Sequence, residues 1–140
     1  MASEIERLES LLTHRPEILE AYLFGSGARG DASAHSDVDI AVFVDRSAAP
    51  DGPFGYVAAL ATELIRALGR NDVDVVLLND APPLLYHRVL RDGRRLFSRD
   101  LVATTRREGY ASSRYCDYVP QLHKIAAAQR RRIEGGSFGR

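Results

Sequence analysis

An α/β fold, built as a small mixed β-sheet flanked by helices with a C-terminal helical extension, is what the sequence predicts. Three observations predict it. Apolar residues recur at period two in "SDVDIAVFV" (36–44) and fill "DVDVVLLN" (72–79), while 3–14 and 54–69 carry them at helical spacing. Strand-like and helix-like stretches alternate along the chain. The connections between them are short, which suits a mixed sheet of three or four strands.

The elements follow in order. In "SEIERLESLLTH" (3–14), Ile5, Leu8, Leu11 and Leu12 form one helical stripe, with Ser3 and Glu6 placed as a capping box and Pro16 beyond the end. "AYLFG" (21–25) is a short apolar strand stopped by glycine. In 36–44, Val38, Ile40, Val42 and Val44 share one face, and Asp37, Asp39, Ala41 and Phe43 the other. "SAAPDGP" (47–53) is a turn-rich loop. The helix over 54–69 lines up Val57, Leu60, Leu64, Ile65 and Leu68 and closes at Gly69. After the strand at 72–79, Pro82 and Pro83 open a helix through Leu85, Val89 and Leu90. "GRRLFS" (93–98) is a turn and short strand, and the chain from Asp100 to Ile133 is largely helical, broken or kinked at Pro120. Residues 1–98 thus form a core and 99–140 a helical extension of the same domain.

Composition narrows the function classes. The chain has 140 residues, 45% hydrophobic and 27% charged, as ordinary globular proteins do. It has no apolar run long enough for a membrane span and no signal-like start, so the expected location is the cytoplasm. The single cysteine, Cys116, forms no internal disulfide and reads as a packing or surface thiol. Net charge is zero but uneven: residues 1–100 carry sixteen acidic and eleven basic side chains, and 101–140 carry three and eight. That basic tail suits an acidic partner or a nucleic acid, and equally plain solvation of an arginine-rich helix end. Direct nucleic-acid binding is not expected.

The chemistry concentrates in "GSGARGDASAHSDVDIAVF" (25–43). Asp37 and Asp39 project from one face of an apolar strand, where paired carboxylates repel and resist desolvation. A hard cation such as Mg²⁺ removes that penalty. Taken alone, the pair is more simply an exposed strand start. Gly25 and Ser26 follow a strand and open a helix, a place where backbone N–H groups attract phosphate, and Arg29 lies one turn on with a fork suited to phosphate oxygens. The spacing fits neither a P-loop nor an EF-hand. A third carboxylate, Asp74, sits between valines on the next strong strand, with Asp72 as a rival on its face. Three carboxylates around one or two metals can hold a nucleoside triphosphate and help deprotonate a hydroxyl.

Gly25-Ser26, ten residues, Asp37-Val38-Asp39, then Asp74 within "VDVVLLN" resembles the signature of the nucleotidyltransferase superfamily related to DNA polymerase beta. The stretch from Tyr22 to about Asn79 is similar to the minimal nucleotidyltransferases, and among them to the MntA-type antitoxins encoded beside HEPN-domain toxins. The resemblance implies the nucleotidyltransferase fold, with Gly25 and Ser26 on the terminal phosphates, Asp37 and Asp39 on Mg²⁺, and Asp74 on the catalytic metal beside the attacking hydroxyl. It implies ATP as substrate, two Mg²⁺ ions, and AMP transfer to a tyrosine of a HEPN ribonuclease toxin. The sequence leaves a homodimer and a hetero-oligomer with that partner both open. Gly27 departs from the larger or basic residue that many of these proteins carry. The alternatives are a small-molecule nucleotidyltransferase of the aminoglycoside type and an antitoxin that neutralises by binding alone. Tyr110, Tyr115 and Tyr118 beside Arg106, Arg107 and Arg114 read equally as a partner interface or as core cover. His35 lies in the motif loop, where it could contact nucleotide.

Overall fold

In the computed structural model, which describes residues 3–25, 37–49 and 53–134 (53, 54 and 134 as backbone only), helices and strands alternate as α1 (Glu4–Thr13), β1 (Ile18–Phe24), β2 (Val38–Val44), α2 (Pro53–Leu68), β3 (Val73–Leu77), α3 (Pro83–Asp92), β4 (Arg94–Ser98) and α4 (Leu101–Glu134). Ser26, Gly27, Arg29 and His35 lie outside the described residues. The sheet order is β3-β2-β1-β4. β2 runs parallel to β3, while β1 is antiparallel to both β2 and β4, so the sheet is mixed as expected.

Period-two alternation on β2 sorts the two layers. Val38, Ile40, Val42 and Val44 are buried with Leu8 and Leu12 of α1 and Tyr56, Leu60, Leu64 and Leu68 of α2. Each fully buried aliphatic side chain there contributes about 1.5–3 kcal/mol. Ala41 points the other way, with Tyr22 of β1, into a smaller cluster under Tyr86 and Val89 of α3 and Ala111 of α4, and Phe43 and Val76 pack against it. α1 starts as its sequence implies, with Ser3 Oγ accepting from the Glu6 N–H at 3.0 Å.

Four elements differ from expectation. β2 starts at Val38, not Ser36, so Asp37 stands just ahead of the strand and not on its face. β1 begins three residues early, at Ile18, and carries Glu20 fully buried in its middle; a charge inside an apolar run hides a strand until its partner is known. β3 stops at Leu77, and a 3₁₀ turn over Leu78–Asp80 follows. There the Asn79 amide takes over the ladder, accepting from Val44 N–H at 3.0 Å and donating to Val44 C=O at 2.8 Å. Pro120 does not break α4, which runs 34 residues through it. Proline frees the carbonyl four residues back, and both Pro120 and Cys116 are exposed, so that group meets water instead of the core.

Candidate active site

The site forms where three strands present their ends together. β2 and β3 are parallel and in register, Val38 beside Val73 and Asp39 beside Asp74, and the Val38 N–H donates to the Asp72 carbonyl at 2.8 Å. Directly paired residues of adjacent strands share a face, so Asp39 and Asp74 stand side by side on strands about 4.8 Å apart. On the other flank, Phe24 of β1 pairs with Asp39, and the chain turns at Gly25.

That turn presses against the carboxylate. Gly25 has φ +81°, and a Cβ at this position would lie 2.3 Å from Asp39 Oδ2. Both the backbone conformation and the close approach require glycine. Asp39 is half-buried, whereas Asp37 and Asp74 are exposed. Burial, and then the charges of Asp74 and Asp37, push the Asp39 carboxyl above its ordinary value. Asp74 and Asp37 therefore both act electrostatically on Asp39. The three aspartates do not form a closed ligand cage: among the described residues no three His, Cys, Asp or Glu side chains converge closely enough to hold a metal ion together.

Asp72 is engaged elsewhere. The Arg70 guanidinium grips it with Nε at 2.5 Å and a second nitrogen at 2.7 Å, and also reaches Glu4 Oε1 at 2.7 Å. That chain of charges ties the start of β3 to α1. Asp74, by contrast, is the one in register with Asp39.

The oxygens around Asp39 suit a hard divalent cation. Gly25 leaves the Asp39 carboxylate a space that any side chain would fill, and among the described residues the donors at hand are carboxylate oxygens without thiol or imidazole. Of the histidines, His14 Nδ1 sits 2.7 Å from the Ser10 carbonyl and His87 stacks on Tyr115 at 3.6 Å, so neither belongs to the site. Cys116 is free and exposed.

Of the C-terminal tyrosines, Tyr110 does not cover the core. Tyr110 is 69% exposed, with Arg114 over its ring, and Tyr115 joins α4 to α3 through His87. Arg107 is not merely solvated either. Its guanidinium holds Glu20 of β1 in a two-point pair, Nε to Oε2 at 2.6 Å, with Thr104 Oγ1 donating to the same carboxylate at 3.0 Å. Beside it, Tyr22 donates to Glu108 Oε2 at 2.6 Å, and Arg95 Nη1 reaches that oxygen at 3.1 Å. Burial and then Glu108 hold the Tyr22 phenol far above its usual range, so it stays a neutral donor. Sequence reasoning missed this polar layer. Its one signal was Glu20 flanked by apolar residues in "ILEAYLF".

The family model described as polymerase beta, nucleotidyltransferase matches residues 6–101, which include every strand and all three aspartates. The chain belongs to the polymerase beta-like nucleotidyltransferase family. Among nucleotidyltransferases, the protein adenylyltransferase MntA of Aphanizomenon flos-aquae (strain 2012/KM1/D3) is 32% identical over 93 residues. That match takes in 62% of this chain, and the chain spans 61% of the relative's length. A chain from the complex of tri-AMPylated Shewanella oneidensis HEPN toxin with MNT antitoxin is 26% identical, covers 90% of this nucleotidyltransferase and 96% of itself, and superposes with TM-score 0.68. A chain from a crystal structure of a toxin–antitoxin with AMP-PNP is also 26% identical, with 94% and 96% covered and TM-score 0.61.

Proposed function

We propose that this nucleotidyltransferase is an antitoxin that transfers AMP from ATP to a tyrosine hydroxyl of a cognate HEPN-domain toxin. The observation that carries the reading is the in-register pair Asp39–Asp74 with the Gly25 turn packed against it. The supporting relatives are a protein adenylyltransferase, a complex holding an AMPylated HEPN toxin, and a toxin–antitoxin with an ATP analogue.

Asp37 and Asp39 would hold Mg²⁺, Asp74 would share a second ion, and Gly25, Ser26 and Arg29 would take the phosphates. Bound there, the metal supplies charge neutralisation for the attacking and leaving oxygens. The chain's own residues do the rest. Asp74 lies on the β3 side, where it orients the acceptor hydroxyl and takes its proton. The acceptor oxygen forms a bond to the α-phosphorus while the bond to the bridging oxygen breaks, and pyrophosphate leaves with that electron pair on the side of the Gly25 turn. The compartment is the cytoplasm, where ATP is at hand and a lone cysteine stays reduced. Among the described residues, no helix is long and apolar enough to cross a membrane.

The test incubates the purified protein with labelled ATP, Mg²⁺ and the product of the adjacent gene, and follows label and intact mass. A gain of AMP on that partner is expected, falling on the order of 10³-fold in Asp39→Asn. A stable complex without transfer would replace catalysis by neutralisation through binding.

A further inference from the structure

A cavity of about 360 Å³ lies between the sheet and α4, lined by Tyr22, Leu90, Gly93, Arg95, Glu108 and Ser112. Its size falls within the ~300–1,000 Å³ of small-molecule sites. It has apolar walls in Tyr22 and Leu90 and a charged side in Glu108 and Arg95. Gly93 lets the α3–β4 turn approach closely: a Cβ there would lie 2.3 Å from the Val89 carbonyl and 3.2 Å from that of Leu23.

Sheet register places this cavity next to the aspartates. Tyr22 pairs with Arg95 on one side and Ala41 on the other, two residues along β1 from the Phe24–Asp39 pair. Two residues along and one strand across put the Tyr22 and Asp39 backbones roughly 8 Å apart. Tyr22, Ala41, Phe43 and Val76 share one face, and period-two alternation puts Asp39 and Asp74, two residues from Ala41 and Val76, on that same face. In the order β3-β2-β1-β4, the cavity over β1 and β4 lies on the side of Asp39 away from Asp74. An in-line displacement sets the acceptor and the leaving pyrophosphate on opposite sides of the α-phosphorus, with the nucleoside beside that line. With the acceptor toward Asp74 and the pyrophosphate at the Gly25 turn beyond the end of β1, the sheet face over β1 and β4 is left for the nucleoside.

We propose that this cavity takes the purine base of the nucleotide, with Glu108 accepting from the adenine amine and Arg95 donating to an adjacent ring nitrogen; this rests on the adenylyl-transfer reading above. The hydrogen bonds leave those functions open. Among the described residues, Glu108 Oε2 receives Tyr22 and Arg95, whereas Oε1 receives only Arg95, at 3.3 Å. A carboxylate has about four acceptor sites, and Arg95 uses only Nη1 of its donors toward a described partner. A carboxylate beside a guanidinium matches the amine and ring nitrogen that adenine presents side by side. Neither Glu108 nor Arg95 belongs to the aspartate site, so their effect falls on base recognition and not on the transfer step.

Calorimetric titration with Mg²⁺ compares ATP, purine riboside triphosphate (which lacks only the amine) and inorganic tripolyphosphate. The wild type is expected to bind ATP about ten- to a hundredfold tighter than the riboside analogue, as for a hydrogen bond to a charged group. In Glu108→Gln the Tyr22 and Arg95 donors hold the amide oxygen and turn its NH₂ toward the cavity, so that preference should vanish while tripolyphosphate binds unchanged. Ser112→Phe, at an exposed helix position, should fill the cavity mouth and weaken ATP at least about tenfold, again sparing tripolyphosphate. A merely structural role for Glu108 would weaken all three ligands together. The proposal is overturned by equal wild-type binding of ATP and the analogue, by absence of ATP binding, or by a preference that survives Glu108→Gln. If the preference follows Glu108 while no partner gains AMP, the base site stands and the transfer reading falls. AMP transfer with a preference indifferent to Glu108 gives the reverse.

Discussion

At Gly25 a single missing methyl decides the site. Alanine there would adopt a left-handed backbone at a cost of about 1–2 kcal/mol and drive its Cβ into the Asp39 carboxylate. Gly25→Ala should therefore lower stability by roughly 1–3 kcal/mol in chemical denaturation, and cut AMP transfer by about a hundredfold through the displaced carboxylate. Retained transfer with the expected destabilisation would mean that Asp39 tolerates another position. Tyr86 offers the opposite case. Its hydroxyl is buried with no hydrogen-bond partner among the described residues, and burial, then Glu20, pushes its pKa up to about 12. Tyr86→Phe removes the orphan group without changing the ring, so a gain of about 1 kcal/mol is expected in denaturant melts. A loss would reveal a partner for that oxygen.

Between elements, the Glu20 pair fastens α4 to the centre of the sheet. Glu20 is fully buried, while Arg107 keeps a quarter of its side chain exposed and also covers the Phe43 ring at 4.8 Å. Breaking a buried pair leaves a charge without compensation, so Arg107→Met should cost about 3 kcal/mol or more. The double change Glu20→Leu with Arg107→Met should recover most of it, because apolar replacement of a whole buried pair is often neutral. A double variant as unstable as the single would show that packing, not the stranded charge, sets the cost. The element boundaries tell a related story. β2 was legible because its alternation is local, whereas the start of β1 was not, since Glu20 becomes tolerable in a strand only once Arg107 and Thr104, more than eighty residues on, are in place.

For the whole molecule, α4 outruns the core that supports it. Its 34 residues extend about 51 Å, yet Ala111 is the last buried residue of the helix among those described. The part beyond Pro120 exposes Ile125 and Ile133 and, among the described residues, has no buried side chain. Truncation after Pro120 should thus shift stability by less than about 1 kcal/mol, read as a nearly unchanged thermal midpoint. A drop of several degrees would show that this half of the helix is held down.

By itself the sequence determined what depends on near neighbours. It set the faces of β2, with Asp39 on one of them, the N-cap of α1 and the alternation that makes the class α/β. Those follow from periods of two and 3.6 residues, which any window of the chain displays. The tertiary structure decided what depends on register between distant segments: Asp74 beside Asp39 while Asp72 pairs with Arg70, Glu20 met by Arg107, and a cavity assembled from β1, α3, β4 and α4. No local pattern encodes those, because strand register and helix docking are set by the summed packing of the whole sheet, and a one-residue slip would send every one of these side chains to the other face.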